Sequence, residues 1–171
     1  TYQYGIYRSA DQGLTWEMVP SWVAQRFSKL LHWPNRNFQF WLAFGLQSGL
    51  WYSDDQARSW QPVPGIDNAL TWYCLAACPS DLLVGGDGGV QRLEPSLQQG
   101  DMTLHTGEAV VCLSSLDSLV FAGSISGKLW SSQDCGETWK TLECFRDGFA
   151  VVSLGAIREG GGVVGVAAGV A

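Results

Sequence analysis

Apolar residues in this chain come in short runs rather than in long one-sided stripes. Runs of about four to eight residues, bounded by Gly, Pro, Asn, Asp and Ser, read as β-strands. The first two predicted strands are Gly5–Ser9 and Thr15–Val19. A set of four follows at Phe27–Trp33, Phe38–Gly45, Leu50–Ser53 and Ser59–Val63, with a turn through Pro34–Asn37 after the first strand. A second set of four lies at Trp72–Cys78, Leu82–Gly85, Gly89–Leu93 and Met102–His105, and a third at Val110–Leu116, Leu119–Gly123, Lys128–Ser131 and Thr138–Cys144. Two more strands, Val151–Ile157 and Val163–Ala168, end the pattern.

The first strand of each set is apolar with small residues, as in Ala109-Val-Val-Cys-Leu113 and Ala150-Val-Val-Ser-Leu154, which predicts burial on both faces. Second strands run into a Gly-x-x-x-Gly spacing: Gly45/Gly49, Gly85/Gly89, Gly123/Gly127 and Gly165/Gly169. With no Lys-Ser/Thr and no helix to follow, this spacing marks a strand-to-strand turn and not a phosphate cradle.

One polar string recurs between the third and fourth strands. It reads Ser9-Ala-Asp11-Gln-Gly13-Leu-Thr15-Trp16 at the start, Ser53-Asp-Asp55-Gln-Ala57-Arg-Ser59-Trp60 in a worn copy, and Ser132-Gln-Asp134-Cys-Gly136-Glu-Thr138-Trp139 near the end. Halving the longer gap places a hidden copy near residue 93. There Gly89-Val-Gln-Arg-Leu93 aligns with Gly49–Ser53 and Gly5–Ser9, and the string itself has decayed to Glu94-Pro-Ser-Leu-Gln-Gln-Gly100. The period is thus about 40 residues, that of a repeat architecture. Physically, a short Asp accepts hydrogen bonds from backbone N–H groups one to three residues on. The following Gly supplies a positive φ, and Thr-Trp starts the returning strand. Ala57 in the glycine slot puts the second turn's geometry in question. Burial of each indole, worth about 2–3 kcal/mol, anchors a turn to its neighbour in this reading.

The string resembles the Asp-box, or bacterial neuraminidase repeat, of β-propellers such as sialidases, xyloglucan-degrading enzymes, sortilin-type receptors and the photosystem II assembly propeller. The resemblance implies an all-β propeller of four-stranded antiparallel blades with Asp-box turns. About four blades are expected, three complete and one composite or incomplete. The expected units are residues 23–64, 70–106 and 109–146, with 1–19 and 150–171 as half-blades that complete one composite blade. The alternatives are a homodimeric ring and a segment of a longer propeller. The structural residues of the turns are Ser9, Asp11, Gly13 and Trp16, then Ser53, Asp55 and Trp60, then Ser132, Asp134, Gly136 and Trp139.

Composition narrows the function classes. With 21 Gly, 9 Trp and 15% charged residues, the chain suits many short strands and is unlike a disordered one. A net charge of −6 without a basic run argues against a phosphate-backbone partner, so no nucleic acid is expected. No apolar run is long enough for a membrane span. The 5 cysteines show no metal-ligand spacing with His32 or His105, and neither a metal nor another cofactor is expected. Cys74 and Cys112 fall at equivalent strand positions, as small buried side chains do. The odd count leaves at least one thiol and disfavours a secreted, fully bridged domain. The family resemblance points the other way, to an extracytoplasmic location.

Ligand-facing positions in a propeller are the loops opposite the Asp-box turns. Here those loops carry Trp22, Arg26, Gln47, Asp67, Asn68, Trp72, Asp87, Arg146 and Asp147 as candidate binding residues, together with Glu108 and Phe149. Aromatics beside amides and Arg suit a protein or carbohydrate contact face, although Trp72 and Phe149 equally suit a core cap. A pair such as Asp67 and Asp147 could serve a glycosidase as acid and base, but the favoured reading of these loop carboxylates is as solvated acids or turn formers. The Arg-Ile-Pro segment of sialidases is missing, the arginines are scattered, and both histidines are placed at strand ends. No catalytic residue is assigned. The expected function is a non-enzymatic recognition or assembly platform for a protein partner. The alternatives are a sialidase-like or xyloglucanase-like glycoside hydrolase and a receptor-type propeller binding peptides.

Overall fold

The structure is a computed structural model. It describes residues 5–19, 27, 29–34, 39–45, 49–66, 70–98, 100–142, 150–159 and 162–170, with side chains described as far as residue 157. The chain divides into two compact units, Thr1–Pro64 and Gly65–Ala171. The described residues are strands, turns and irregular segments, and no helix among them is long and apolar enough to cross a membrane.

In the first unit, β1 (Tyr7–Arg8) and β2 (Glu17–Met18) form a two-stranded antiparallel ladder. A four-stranded antiparallel sheet follows in chain order: β3 (Lys29–Pro34), β4 (Gln39–Gly45), β5 (Gly49–Ser53) and β6 (Gln61–Pro62). Pro62 sits on the outermost strand, where its missing N–H interrupts no ladder. Leu42, Ala43, Phe44, Leu50 and Val63 are buried. Phe40 meets Tyr52 edge to face at 5.3 Å.

The second unit holds two further sheets of the same kind. The first is β7 (Trp72–Ala77), β8 (Leu82–Gly86), β9 (Gly89–Leu93) and β10 (Gly100–His105). The other is β11 (Val110–Leu116), β12 (Leu119–Ser124), β13 (Leu129–Ser132) and β14 (Lys140–Leu142). A two-stranded ladder, β15 (Val151–Glu159) with β16 (Gly162–Val170), ends the unit.

First strands of successive sheets lie side by side in this unit, and one detail repeats at each junction. The register shifts between Trp72 and Cys74, between Val110 and Cys112, and between Val151 and Ser153. The Cys74 thiol donates to the Val110 carbonyl (3.6 Å) and the Cys112 thiol to that of Val151 (2.8 Å). Opposite them stand Gly85 and Gly123, where an added Cβ would lie 2.6 Å and 2.7 Å from the facing sulfur. The cysteines at these equivalent positions are thus packing groups between blades.

Burial of the first strands on both faces holds for β7 and β11 and fails for β3 and β15. Leu30 is 54% exposed and Val152 50%. A strand's second face is buried only where another sheet lies against it. β7 and β11 each have such a sheet in β11 and β15, whereas no described strand of the first unit covers Leu30. His32 also departs from expectation: it lies inside β3 opposite Trp41, with ring centroids 4.8 Å apart, while His105 does end its strand.

Candidate functional site

The recurring polar string folds into one hydrogen-bonded device. In the first turn the Ser9 hydroxyl donates to Asp11 Oδ1 (2.8 Å) and accepts from the Gly13 N–H (2.7 Å). Thr15 donates its N–H to Asp11 Oδ1 (2.9 Å) and its hydroxyl to Oδ2 (2.6 Å). The third turn repeats this through Ser132, Asp134, Gly136 and Thr138, with Ser132 to Asp134 at 2.6 Å and the Thr138 N–H to Asp134 at 2.9 Å. The carboxylate therefore reaches residues four on, farther than the one-to-three span expected of a lone Asp turn, because the serine hydroxyl closes the near side.

The second turn keeps the same geometry despite Ala57. Asp55 accepts from the Ser53 hydroxyl (2.8 Å), the Ser59 N–H (2.9 Å) and the Ser59 hydroxyl (2.6 Å). Two consecutive residues have positive φ in each of the three clamped turns: Gln12 (61°) and Gly13 (90°), Gln56 (64°) and Ala57 (63°), Cys135 (56°) and Gly136 (82°). Ala57 adopts the left-handed conformation at the usual cost of a Cβ there, and its methyl packs against the core around Trp60. The decayed turn lacks the clamp. It closes by the Leu97 N–H to the Glu94 carbonyl (2.9 Å), with Leu97 buried and its carbonyl accepting from Gly65 N–H (3.0 Å).

These bonds stabilise the ionised carboxylates. The Thr15 hydroxyl, foremost, holds Asp11 down to about 2. The Ser132 hydroxyl, followed by the Thr138 hydroxyl and N–H, does the same for Asp134, also about 2. The Ser59 hydroxyl pulls Asp55 well below the usual carboxylate range. Groups so committed are poor proton donors near neutrality and poor nucleophiles.

The tryptophans that follow are not equivalent. Trp60 is buried (8% exposed) in a cluster with Ile6, Val19 and Ala43. Trp139 is half-buried and donates its Nε1–H to the Gly136 carbonyl (3.0 Å) and to Thr103 Oγ1 (3.3 Å) on β10. Both anchor a turn to the preceding hairpin. Trp16 does not: it is 61% exposed, with its Nε1–H returned to Gly13 (3.1 Å). The expectation that each indole anchors its turn is corrected for Trp16.

Of the loop candidates, Trp22, Arg26, Gln47, Asp67, Asn68, Arg146 and Asp147 lie outside the described residues, as does Phe149. Trp72 is 3% exposed and packs on Gly86, where a Cβ would come within 2.5 Å of its ring. It caps the core and offers no surface. Asp87 accepts from the Tyr73 hydroxyl (2.9 Å), and Glu108 pairs with Lys128 (2.8 Å).

A surface that these expectations missed lies in the first unit. Tyr7, Trp16, Leu30, Trp41, Ala57 and Trp60 line a largely apolar hollow of about 520 Å³, the size of small-ligand or side-chain pockets, about 300–1,000 Å³. Trp41, 38% exposed, points away from the core by strand alternation, since Phe40 and Leu42 on either side are buried. Arg8 on its rim donates from Nε to the Gln56 carbonyl (3.0 Å), joining β1 to the second turn. The signal available in the sequence was the Phe40-Trp41-Leu42 run, which places an aromatic on each face of β4. Nothing in it distinguishes an indole that packs from one that stays open.

Four-stranded antiparallel sheets repeated along the chain, with their first strands adjacent in the second unit, are the blades of a β-propeller. No family model matches the chain, and no protein of curated function matches it in sequence. Solved structures do. The chain is similar to the GH74 xyloglucanase from Xanthomonas campestris (TM-score 0.60, 17% identity, 82% of this chain and 27% of that one). It is similar to YCF48 from Cyanidioschyzon merolae (TM-score 0.58, 14% identity, 86% and 56%). It is also similar to a chain in the crystal structure of a mitotic checkpoint complex (TM-score 0.56, 18% identity, 78% and 47%). At these identities the likeness establishes the fold, and the chain spans less than two thirds of each of those proteins.

Proposed function

We propose that this chain is an Asp-box propeller, or a segment of one, that works as a non-enzymatic recognition platform for a protein partner. The observation that carries this reading is the open aromatic hollow of the first unit. Its exposed Trp16, Trp41, Tyr7 and Leu30 are the side chains that bury well in a protein contact, while the carboxylates of the three clamped turns are committed to structure. The partner in this reading presents a small cluster of apolar side chains to the hollow. Support from similar folds is divided, since one neighbour is part of a protein complex and another a xyloglucanase.

A photo-activatable amino acid at Leu30 or Trp41 tests this in the native cell. The expected result is a stoichiometric crosslink to one protein, lost on Trp16→Ala and absent from a control position at the exposed Ile125 of the other unit. Crosslinks no different from the control would reject it. The runner-up, a glycoside hydrolase, rests on Asp67 and Asp147. Xyloglucan or sialoside cleavage that disappears in Asp67→Asn and Asp147→Asn would replace the platform reading with an enzymatic one.

A further inference from the structure

Two thiols meet where the second and third four-stranded sheets join. Cys78 follows β7 and is buried, its N–H donating to the Asp81 carbonyl (2.8 Å) to close the turn into β8. Cys135 is the first positive-φ residue of the third clamped turn, its N–H donating to the Ser118 carbonyl (2.9 Å). Both pack in one apolar cluster with Leu83, Leu113 and Trp130. The Cys135 side chain lies close enough to Cys78 to disfavour ionisation of its thiol. Both are thiols in this structure. Beside them Arg92 bridges Asp81 (3.3 Å) and Glu137 (3.2 Å), so a fixed guanidinium lies at the same junction.

We propose that Cys78 and Cys135 form a modification site: a dithiol that hydrogen peroxide oxidises to a disulfide stapling the third turn to the second blade. Cys135 is the entry point because it is the more exposed of the two. Its thiolate attacks one peroxide oxygen, the O–O bond breaks, and the sulfur becomes a sulfenic acid as hydroxide leaves and takes up a proton. The Cys78 sulfur then attacks the sulfenic sulfur, gives up its proton, and expels the hydroxyl as water. Two thiols and one peroxide thus yield one disulfide and two waters. Burial, then the neighbouring Cys135, pushes the Cys78 thiol well above its usual value, so Cys78 reacts second, after a leaving group has formed beside it.

Arg92 and its two carboxylate partners hold the joined segments in place before the bond forms. The equivalent thiols at Cys74 and Cys112 instead face backbone carbonyls, and a disulfide between them is not expected.

The test treats the full chain with hydrogen peroxide under native conditions and maps its peptides. The expected result is a loss of about 2 Da and a Cys78–Cys135 linked peptide, reversed by a dithiol reductant. The oxidised second unit should melt about 5–10 °C higher than the reduced one. In Cys78→Ser the sulfenic acid on Cys135 should persist and be trapped by dimedone. A wild-type map in which Cys135 is over-oxidised, or bonds to another cysteine, while Cys78 is alkylated only after unfolding would overturn the proposal without any reliance on a variant that folds poorly.

Discussion

Gly13 and Gly136 hold the same place in their turns and nearly the same φ, yet substitution should not cost the same. An added Cβ at Gly13 would meet only Trp16 Cζ2, at 3.8 Å, whereas at Gly136 it would lie 2.8 Å from Leu83 Cδ2 and 3.3 Å from Trp139. Both changes force a Cβ into the left-handed region, about 1–2 kcal/mol. Only Gly136→Ala adds overpacking, about 1–3 kcal/mol more. Denaturant unfolding of each variant, read on the transition of its own unit, should show about 1–2 kcal/mol lost for Gly13→Ala and about 2–5 kcal/mol for Gly136→Ala. Equal losses would mean that conformation alone decides. Ala57 shows that the strain is tolerable where a methyl finds a core to pack on. The polar string was legible as a turn because Ser, Asp, Gly and Thr each have one function there. The fate of Trp16 was not, since the same residue type at the same position is buried in one turn and open in another.

At the scale of the element, strand positions were readable from the apolar runs. β11 spans Val110–Leu116 as its sequence indicates, and β9 spans Gly89–Leu93. Burial of the second face was not readable, because it depends on the strand alongside and not on the strand itself, as Leu30 and Val152 show. Where two sheets do meet, the Cys–Gly pairs set their spacing. Gly85→Ala and Gly123→Ala should each destabilise the second unit by about 1–3 kcal/mol through overpacking. The two differ in what relieves them. At Gly85 the closest atom is the Cys74 sulfur, so Cys74→Ala should recover much of the loss. At Gly123 the Val151 Cβ is as close as the Cys112 sulfur, at 2.7 Å, so Cys112→Ala should recover little. Equal rescue at both positions would contradict this account of the junction.

For the whole molecule, equivalent carboxylate clamps recur along the chain, and the proposed recognition role falls to surfaces elsewhere. Of the loop candidates, Trp72 turned out to be a core residue, and the aromatic hollow arose from residues far apart in sequence, which no local pattern brings together. The clamps have a consequence in acid. A folded value near 2 for Asp11 and Asp134 lies below the unfolded value of about 3.9. Their contribution to stability is therefore complete above about pH 4 and is lost as pH falls through about 2. Carbon-detected NMR titration of the Asp side-chain carboxyls measures the clamps directly. Asp11, Asp55 and Asp134 are each expected to titrate well below the ordinary carboxylate range, with Asp11 and Asp134 near 2. Midpoints near the ordinary value, about 4, for any of the three would contradict the claim that one clamped turn repeats along this chain.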